Sequence, residues 1–400
     1  MNPNAGHLRL LLVAAQSETV QGLARDLFLL DEHLESAIRH NAAEALDLLE
    51  KEPFDAVTVD LRLPDNGAAV LLTALQLNFP RLLRQVIATD PADPVFANAA
   101  HLAHALLPRP CDRGTLYSTL IETAAVGHGT HDPSLLEAVT AIHSLPDAPS
   151  LRRELLGLLA DDDLDLEKME EAITGNPAMA GKILQVANSA YFGARGSVTS
   201  LGEAVSLIGL DTVRALVSSA RFFDLAPGSG AGALPLEEIW QHCVRTALTV
   251  RRVAWHVRAG AGVSRAAFTA ALLHDAGKIV MHRAHGEAYA ALLRQPAAGA
   301  RTLWLEEERL FAHHHGTAGA MLLELWGLPP SVVEAVALHH TPHRTRENTP
   351  TPLTLVHIAN ALVHQDGARA GSEARLDFNY LQRLLLPGKL DAWQTAISAG

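Results

Sequence analysis

Short apolar runs alternate with amphipathic stretches over the first third of the chain. Runs at 10–15, 56–60, 85–89 and 105–107 predict buried strands. Between them, 18–30, 42–51 and 67–77 repeat with a helical period. Strand and helix alternating at this spacing predict an α/β domain on a doubly wound parallel sheet. Sites in such sheets lie beyond the carboxyl ends of the strands. Asp60, Thr89 and Arg109 fall there.

From 145 to about 366 the pattern turns helical throughout. Caps and period predict helices at 150–160, 165–174, 177–190, 200–208 and 211–223. Others follow at 236–259, at 264–274 continuing past Lys278, and at 303–311, 316–326, 330–339 and 353–364. Asn176-Pro177 is a clear start signal, with proline at the first helical position. The expected organisation is a sheet domain at 1–125, a joint at 126–144 with a connecting helix near 134–142, an all-α domain at 145–367, and an extension at 368–400. The extension carries two short helical patterns, 376–386 and 390–397, expected to pack back on the all-α domain.

Composition narrows the function classes. The 48% hydrophobic content is ample for packed cores in 400 residues. A net charge of -12 argues against a constitutive nucleic-acid binder, which needs a basic face. Two cysteines cannot build a disulfide framework and fit a reducing compartment. No run reaches the roughly 18 apolar residues of a membrane span, and the first apolar run reads as a strand rather than a signal peptide. A cytoplasmic location is therefore expected. Thirteen of the 21 histidines lie from His242 onward, which places any chemistry in the C-terminal part.

At Ala270-Ala-Leu-Leu-His-Asp-Ala-Gly-Lys-Ile-Val280 an apolar run delivers His274 and Asp275 into a core. A buried charge without a partner is costly, so this pair implies a metal or a hydrogen-bonded network. His282, His285, His343, His357, His364 and His256 read as surface or capping residues, and His313 and His314 as solvated.

Three resemblances sharpen these patterns. The segment Phe54-Asp-Ala-Val-Thr-Val-Asp-Leu-Arg-Leu-Pro-Asp-Asn-Gly67 resembles the phosphoacceptor strand and turn of two-component receiver domains. That resemblance puts Asp60 at the phosphoacceptor position, Thr89 at the switch hydroxyl, Arg109-Pro110 where the family has Lys-Pro, and Leu106 at the aromatic switch position. Its two magnesium-holding acids would be Ala14 and Ala15, and methyl groups offer no oxygen ligand. No magnesium site is expected, and Asp60 reads more readily as a strand-end carboxylate paired with Arg109 than as a phosphoacceptor. The domain resembles a pseudo-receiver that docks or dimerises.

Ile142-His-Ser-Leu-Pro146, the run from Asn176 to Tyr191, and the run from Val198 to Gly209 resemble the HD-related output domain family, HDOD. Within that stretch, Asn188 and Ser189 read as a helix cap or a buried hydrogen bond. The order His242, His274-Asp275, His315, His339-His340, Asn360 resembles the ligand succession of the HD metal-dependent phosphohydrolases. There, imidazoles and a bridging carboxylate hold one or two divalent transition metal ions, and a lysine at the place of Lys278 steadies phosphate. The closing acid of that pattern is Asn360 here, which offers an oxygen but no charge. Asp366 lies six residues on, on another helix face. The acid after the double histidine and the Gly-Tyr-Pro string of cyclic di-nucleotide phosphodiesterases are absent.

Three functions follow from these readings. The first is a bacterial signalling regulator, a pseudo-receiver fused to a non-catalytic HDOD scaffold. Its partner would be a signalling protein or a nucleotide second messenger, a homodimer being a further expectation, with neither nucleic acid nor membrane as partner. The second is an HD-type phosphohydrolase acting on a nucleotide. The third is a response regulator phosphorylated on Asp60.

Overall fold

The computed structural model describes residues 8–15, 18–31, 33–126, 132–159, 165–194, 196–219, 234–294, 302–366 and 375–384. Its sheet has five parallel strands in the order β2-β1-β3-β4-β5. They are β1 (Leu8–Val13), β2 (Leu34–Arg39), β3 (Ala56–Asp60), β4 (Leu83–Ala88) and β5 (Ala105–Pro108). Helices α1 (Glu18–Leu30), α2 (Ala42–Lys51), α3 (Gly67–Asn78), α4 (Pro94–Leu102) and α5 (Arg113–Ala125) supply the connections. β3 is buried along its whole length, as a central parallel strand must be, and its register on β4 sets Asp60 beside Ile87. β2 adds a strand that the apolar runs did not predict. It is an edge strand, Leu-Glu-Ser-Ala-Ile-Arg, of which only Leu34 is fully buried. An edge strand needs no continuous apolar run, so its sequence carries little signal.

A connecting helix α6 (Pro133–Ala141) leads into the helical part. Helices α7 (Pro149–Leu159), α8 (Leu166–Thr174), α9 (Pro177–Ala187), α10 (Leu201–Ile208) and α11 (Leu210–Ser219) form its first half. The second half holds α12 (Leu236–Val257), α13 (Ala261–Leu273), α14 (Gly277–His285), α15 (Glu287–Arg294), α16 (Leu303–Phe311), α17 (His315–Leu325), α18 (Pro330–Leu338), α19 (Pro352–Asp366) and α20 (Phe378–Arg383). No helix among the described residues is long and apolar enough to cross a membrane. The expected start at Asn176 is present: its side chain accepts from the Met179 amide at 3.0 Å, with Pro177 beginning the helix. Asn188 caps the other end, donating to the carbonyls of Leu184 and Val198 and accepting from the Val198 amide.

The helix expected to run past Lys278 is instead two helices. α13 stops at Leu273, the chain turns through His274 and Asp275, and α14 begins at Gly277. The break has a packing reason. A Cβ on Gly277 would lie 1.8 Å from the His315 carbonyl oxygen, so α14 approaches α17 as closely as glycine alone permits. α15 was not expected, and the predicted helix at 390–397 and the end of that at 211–223 lie outside the described residues.

The sheet domain is docked on the helical domain through α4 and β5. Lys182 of α9 is almost fully buried at this seam. Its ammonium donates to the carbonyls of Ala100 (3.0 Å) and His143 (2.7 Å) and to Gln185 (2.5 Å). The Gln185 amide reaches the carbonyls of Ala103 and His104. His101 bonds the Leu216 carbonyl at 2.8 Å, and the Tyr191 hydroxyl donates to the Thr89 carbonyl at 3.1 Å. Beneath them His104 accepts from the Arg84 amide at 2.9 Å and donates to the Thr140 carbonyl at 2.7 Å.

These bonds hold His104 in its neutral form. Burial, and then the Arg84 guanidinium, push His104 and His143 well below the ordinary histidine value. The sign follows. With the folded value depressed, the unfolded chain takes up the proton first, so stability is full above about pH 6.5 and is lost below it. Each such histidine should contribute a slope of about 1.4 kcal/mol per pH unit in that window. Melting temperature is expected to be nearly level above about pH 7 and to fall between about pH 6.5 and pH 5.5; a flat profile through that lower window would contradict this account of the seam.

Candidate metal centre

Five elements converge on Asp275. α12 brings His242, the α13–α14 turn brings His274 and Asp275, and α17 brings His315. The end of α18 brings His339 and His340, and α19 brings Asn360. All the residues named for this centre therefore meet in one place. His274 (0% exposed), Asp275 (2%), His315 (1%) and His339 (1%) are sealed from solvent.

The hydrogen bonds fix the tautomers. His274 Nδ1 lies 2.7 Å from the Ala271 carbonyl, and His339 Nδ1 lies 2.7 Å from the Val336 carbonyl. A carbonyl only accepts, so both rings carry their proton on Nδ1. His315 Nδ1 lies 2.7 Å from the Glu307 carboxylate, which imposes the same tautomer. Three imidazoles thus keep an Nε2 lone pair turned inward. The Nε2 atoms of His274 and His339 have no hydrogen-bond partner although fully buried.

The carboxylate sits between two histidine groups. Asp275 Oδ1 is 3.3 Å from His315 Nε2, while Oδ2 is 3.6 Å from His274 Nε2 and 3.9 Å from His242 Nε2. Donor atoms of His242, His274 and Asp275 lie within 4.8 Å of one another, as do those of His315, His339 and His340. His340 Nε2 is 2.9 Å from His315 Nε2. Two nitrogens each about 2.0–2.1 Å from one ion would stand about 3 Å apart. Orphaned buried acceptors, fixed Nδ1 protons and a shared carboxylate fit a divalent transition metal ion.

Two features depart from an acid-rich metal site. Lys278 donates to Asp275 Oδ2 at 2.8 Å, so the carboxylate already has an internal cation. Asn360 Oδ1 lies 2.9 Å from His242 Nε2, which makes that nitrogen a donor to the amide. Burial alone would raise the Asp275 carboxyl; the Lys278 ammonium, the largest opposing charge, reverses this and holds it well below the usual range. Burial likewise keeps His242, His274, His339 and His340 neutral.

Glu307 was not anticipated. It is fully buried on α16, and accepts from the His315 ring, the His315 amide (2.9 Å) and the Tyr289 hydroxyl (2.6 Å). Burial raises its carboxyl, but the His315 interactions and Tyr289 outweigh it and leave it below the ordinary value. Leu303, Glu307 and Phe311 recur every four residues, so a carboxylate on the inward stripe of α16 was the available signal. Three histidines also differ from expectation. His314 is buried as the cap of α17. His357 is buried, contacting the His339 carbonyl (2.8 Å) and accepting from the Asp377 amide (2.9 Å), and His282 is buried as well. α19 runs through Asp366, which keeps that residue six positions from Asn360 on one helix.

In the sheet domain, Asp60 is engaged on both oxygens. The Arg62 amide donates to Oδ1 at 3.0 Å and Arg109 donates to Oδ2. Ala14 is buried and Ala15 exposed where receivers carry acids, and Leu106 is buried. Thr89 contributes its carbonyl to the seam with Tyr191.

Residues 145–342 match the family model for the HDOD domain. This segment is an HDOD domain. Across 229 residues, 56% of this chain and 42% of the relative, the sequence is 24% identical to an uncharacterized protein of Treponema pallidum. It is 27% identical over 150 residues to the response regulator protein PilR of Pseudomonas aeruginosa, covering 37% of this chain and 33% of that one. The chain thus spans less than half the length of both curated relatives. The MmoQ response regulator of Methylococcus capsulatus is similar at 26% identity and TM-score 0.48, over 63% of this chain and 98% of that structure. The five-stranded parallel sheet domain thus precedes the segment that matches the HDOD model.

Proposed function

We propose that the chain is a signalling regulator whose HDOD domain works by docking rather than by turnover. The observation that carries this reading is the internally balanced centre, sealed everywhere but at its half-buried His340 edge. The donors of His274, Asp275, His315 and His339 lie at 2% exposure or less, and Lys278 neutralises Asp275 from within. Phosphoryl hydrolysis needs a path for substrate and an ion able to activate water on it. In this reading a metal ion fastens the α13–α14 turn, α17 and the end of α18 together through His274, Asp275, His315 and His339. The sheet domain acts through the seam at Lys182 and Tyr191, with Asp60 tied to Arg109.

Metal analysis and phosphate release from a panel of nucleotides and cyclic di-nucleotides test this together. The expected result is about one equivalent of transition metal, lost in a His274→Ala, Asp275→Ala variant, with phosphate release equal in the two proteins. Release abolished by the variant would establish the second reading, a metal-dependent phosphohydrolase, which the three inward Nε2 lone pairs favour. Incubation with acetyl phosphate and magnesium should leave the mass unchanged; an adduct on Asp60 would restore the phosphorylated receiver.

A further inference from the structure

The charge of this chain is unevenly placed. From Ile239 to His274 there is no aspartate or glutamate and no lysine, yet the stretch holds Arg245, Arg251, Arg252, Arg258 and Arg265 in a chain of net charge -12. Along α12, Arg245, Leu248, Arg251, Arg252 and Trp255 are all exposed. Leu248 and Trp255 are seven residues apart, two helical turns, so they share one face about 10 Å apart along the axis. Trp255 is 77% exposed and Leu248 47%. A large indole left in water on a well-packed domain is the kind of anchor that protein interfaces bury.

The cations are set around this apolar stripe. The Arg251 guanidinium is stacked over the Phe268 ring at 4.5 Å, which orders it at the edge of an open cleft of about 760 Å³. Trp255, Arg258 and Ser264 line the same cleft. Arg258 ends α12 in the left-handed conformation, φ 56°, a position that glycine ordinarily fills. Its side chain is thus held at the cleft at some conformational cost. Arg265 is already paired with Glu203 at 3.3 Å and Arg252 also has a partner within the chain, so the cleft itself is served by Arg251 and Arg258.

We propose that the outer face of α12, with its cleft, docks an acidic amphipathic helix of a partner protein. Tryptophan and arginine are enriched, and lysine depleted, at protein interfaces, and the exposed leucine and indole between the arginines have no use to a phosphate group. The leucine and the indole two turns apart match the apolar seam of a facing helix, and the flanking arginines match carboxylates beside that seam. This names the partner class of the docking reading above and rests on it only in taking the partner to be a protein.

The test uses the full chain and a fluorescein-labelled, acetylated and amidated 18-residue peptide, with leucines on one helical face and glutamates on the other, followed by anisotropy. The peptide is expected to bind, about thirtyfold more weakly to Trp255→Ala and to Arg251→Glu, Arg252→Glu, with melting temperatures unchanged. A peptide with lysine for glutamate should reverse this preference, binding the charge-reversed variant and not the parent. No binding by the parent chain, or binding by both variants as tight as by the parent, overturns the proposal. So does a fifteen-nucleotide oligothymidine that binds more tightly than the peptide and is lost with the same arginines, since that would make the face a nucleic-acid site. Phosphate release is read separately, so failure of the peptide and failure of the docking reading remain distinct results.

Discussion

Asp275→Ala should lower the stability of the HDOD domain by about 3–5 kcal/mol, measured by denaturant unfolding in excess chelator so that no metal contributes. The reason is what remains behind. Lys278 is buried on α14 and donates to Asp275 at 2.8 Å. Without the carboxylate, an ammonium stays in a core that cannot solvate it. Removing the charge from both sides should cost less than removing one, because an apolar pair of similar volume has no desolvation penalty. The double variant Asp275→Leu, Lys278→Met is therefore expected to recover at least half the loss. If the single and double variants are equally unstable, the ion pair is not what Asp275 contributes in the absence of metal. If neither is destabilised, the centre does not hold these helices together at all.

Much of this arrangement is legible in the sequence, and what is not has a physical cause. Continuous apolar runs marked β1, β3, β4 and β5, because strands buried on both faces leave no polar alternation. β2 escaped because an edge strand such as Leu-Glu-Ser-Ala-Ile-Arg can be half exposed. The histidines of the centre were legible as a series in a fixed order. Their tautomers were not, since these depend on which carbonyl each Nδ1 meets one turn back. His314 and His357 look like surface histidines by type, and only packing shows them buried. The seam was the least legible part. Lys182 and Gln185 meet oxygens about eighty residues away, and nothing in a lone lysine on a helix announces that it will be buried against another domain. Glu307 stands in a run of three glutamates, Glu306 to Glu308, which reads as a solvated face unless the four-residue repeat is followed.

That glutamate yields the second large expectation. Glu307→Ala should destabilise the domain by about 3–6 kcal/mol, because it orphans three buried donors: the His315 ring, the His315 amide and the Tyr289 hydroxyl. It should also weaken transition-metal binding by about 10–100-fold, the usual cost of losing the carboxylate that orients a ligating imidazole. Glu307→Gln separates the two effects. A glutamine keeps one carbonyl oxygen and nearly the same shape, so its stability cost should fall to about 1–2 kcal/mol. With its carbonyl oxygen where Oε2 now stands it still accepts from both His315 donors and leaves its amide toward Tyr289, but it carries no charge. The His315 ring then keeps its proton on Nδ1 and loses the anion behind it, which makes Nε2 a less basic ligand. Metal affinity should therefore fall in Glu307→Gln nearly as far as in Glu307→Ala, while stability does not. Tyr289→Phe is the control, removing one hydroxyl at 2.6 Å without touching the histidine. It should cost about 1 kcal/mol and leave metal affinity within a few-fold of the parent. Parallel losses of stability and affinity across all three variants would make Glu307 a packing residue; loss of affinity without matching loss of stability in the glutamine variant makes it the group that positions His315.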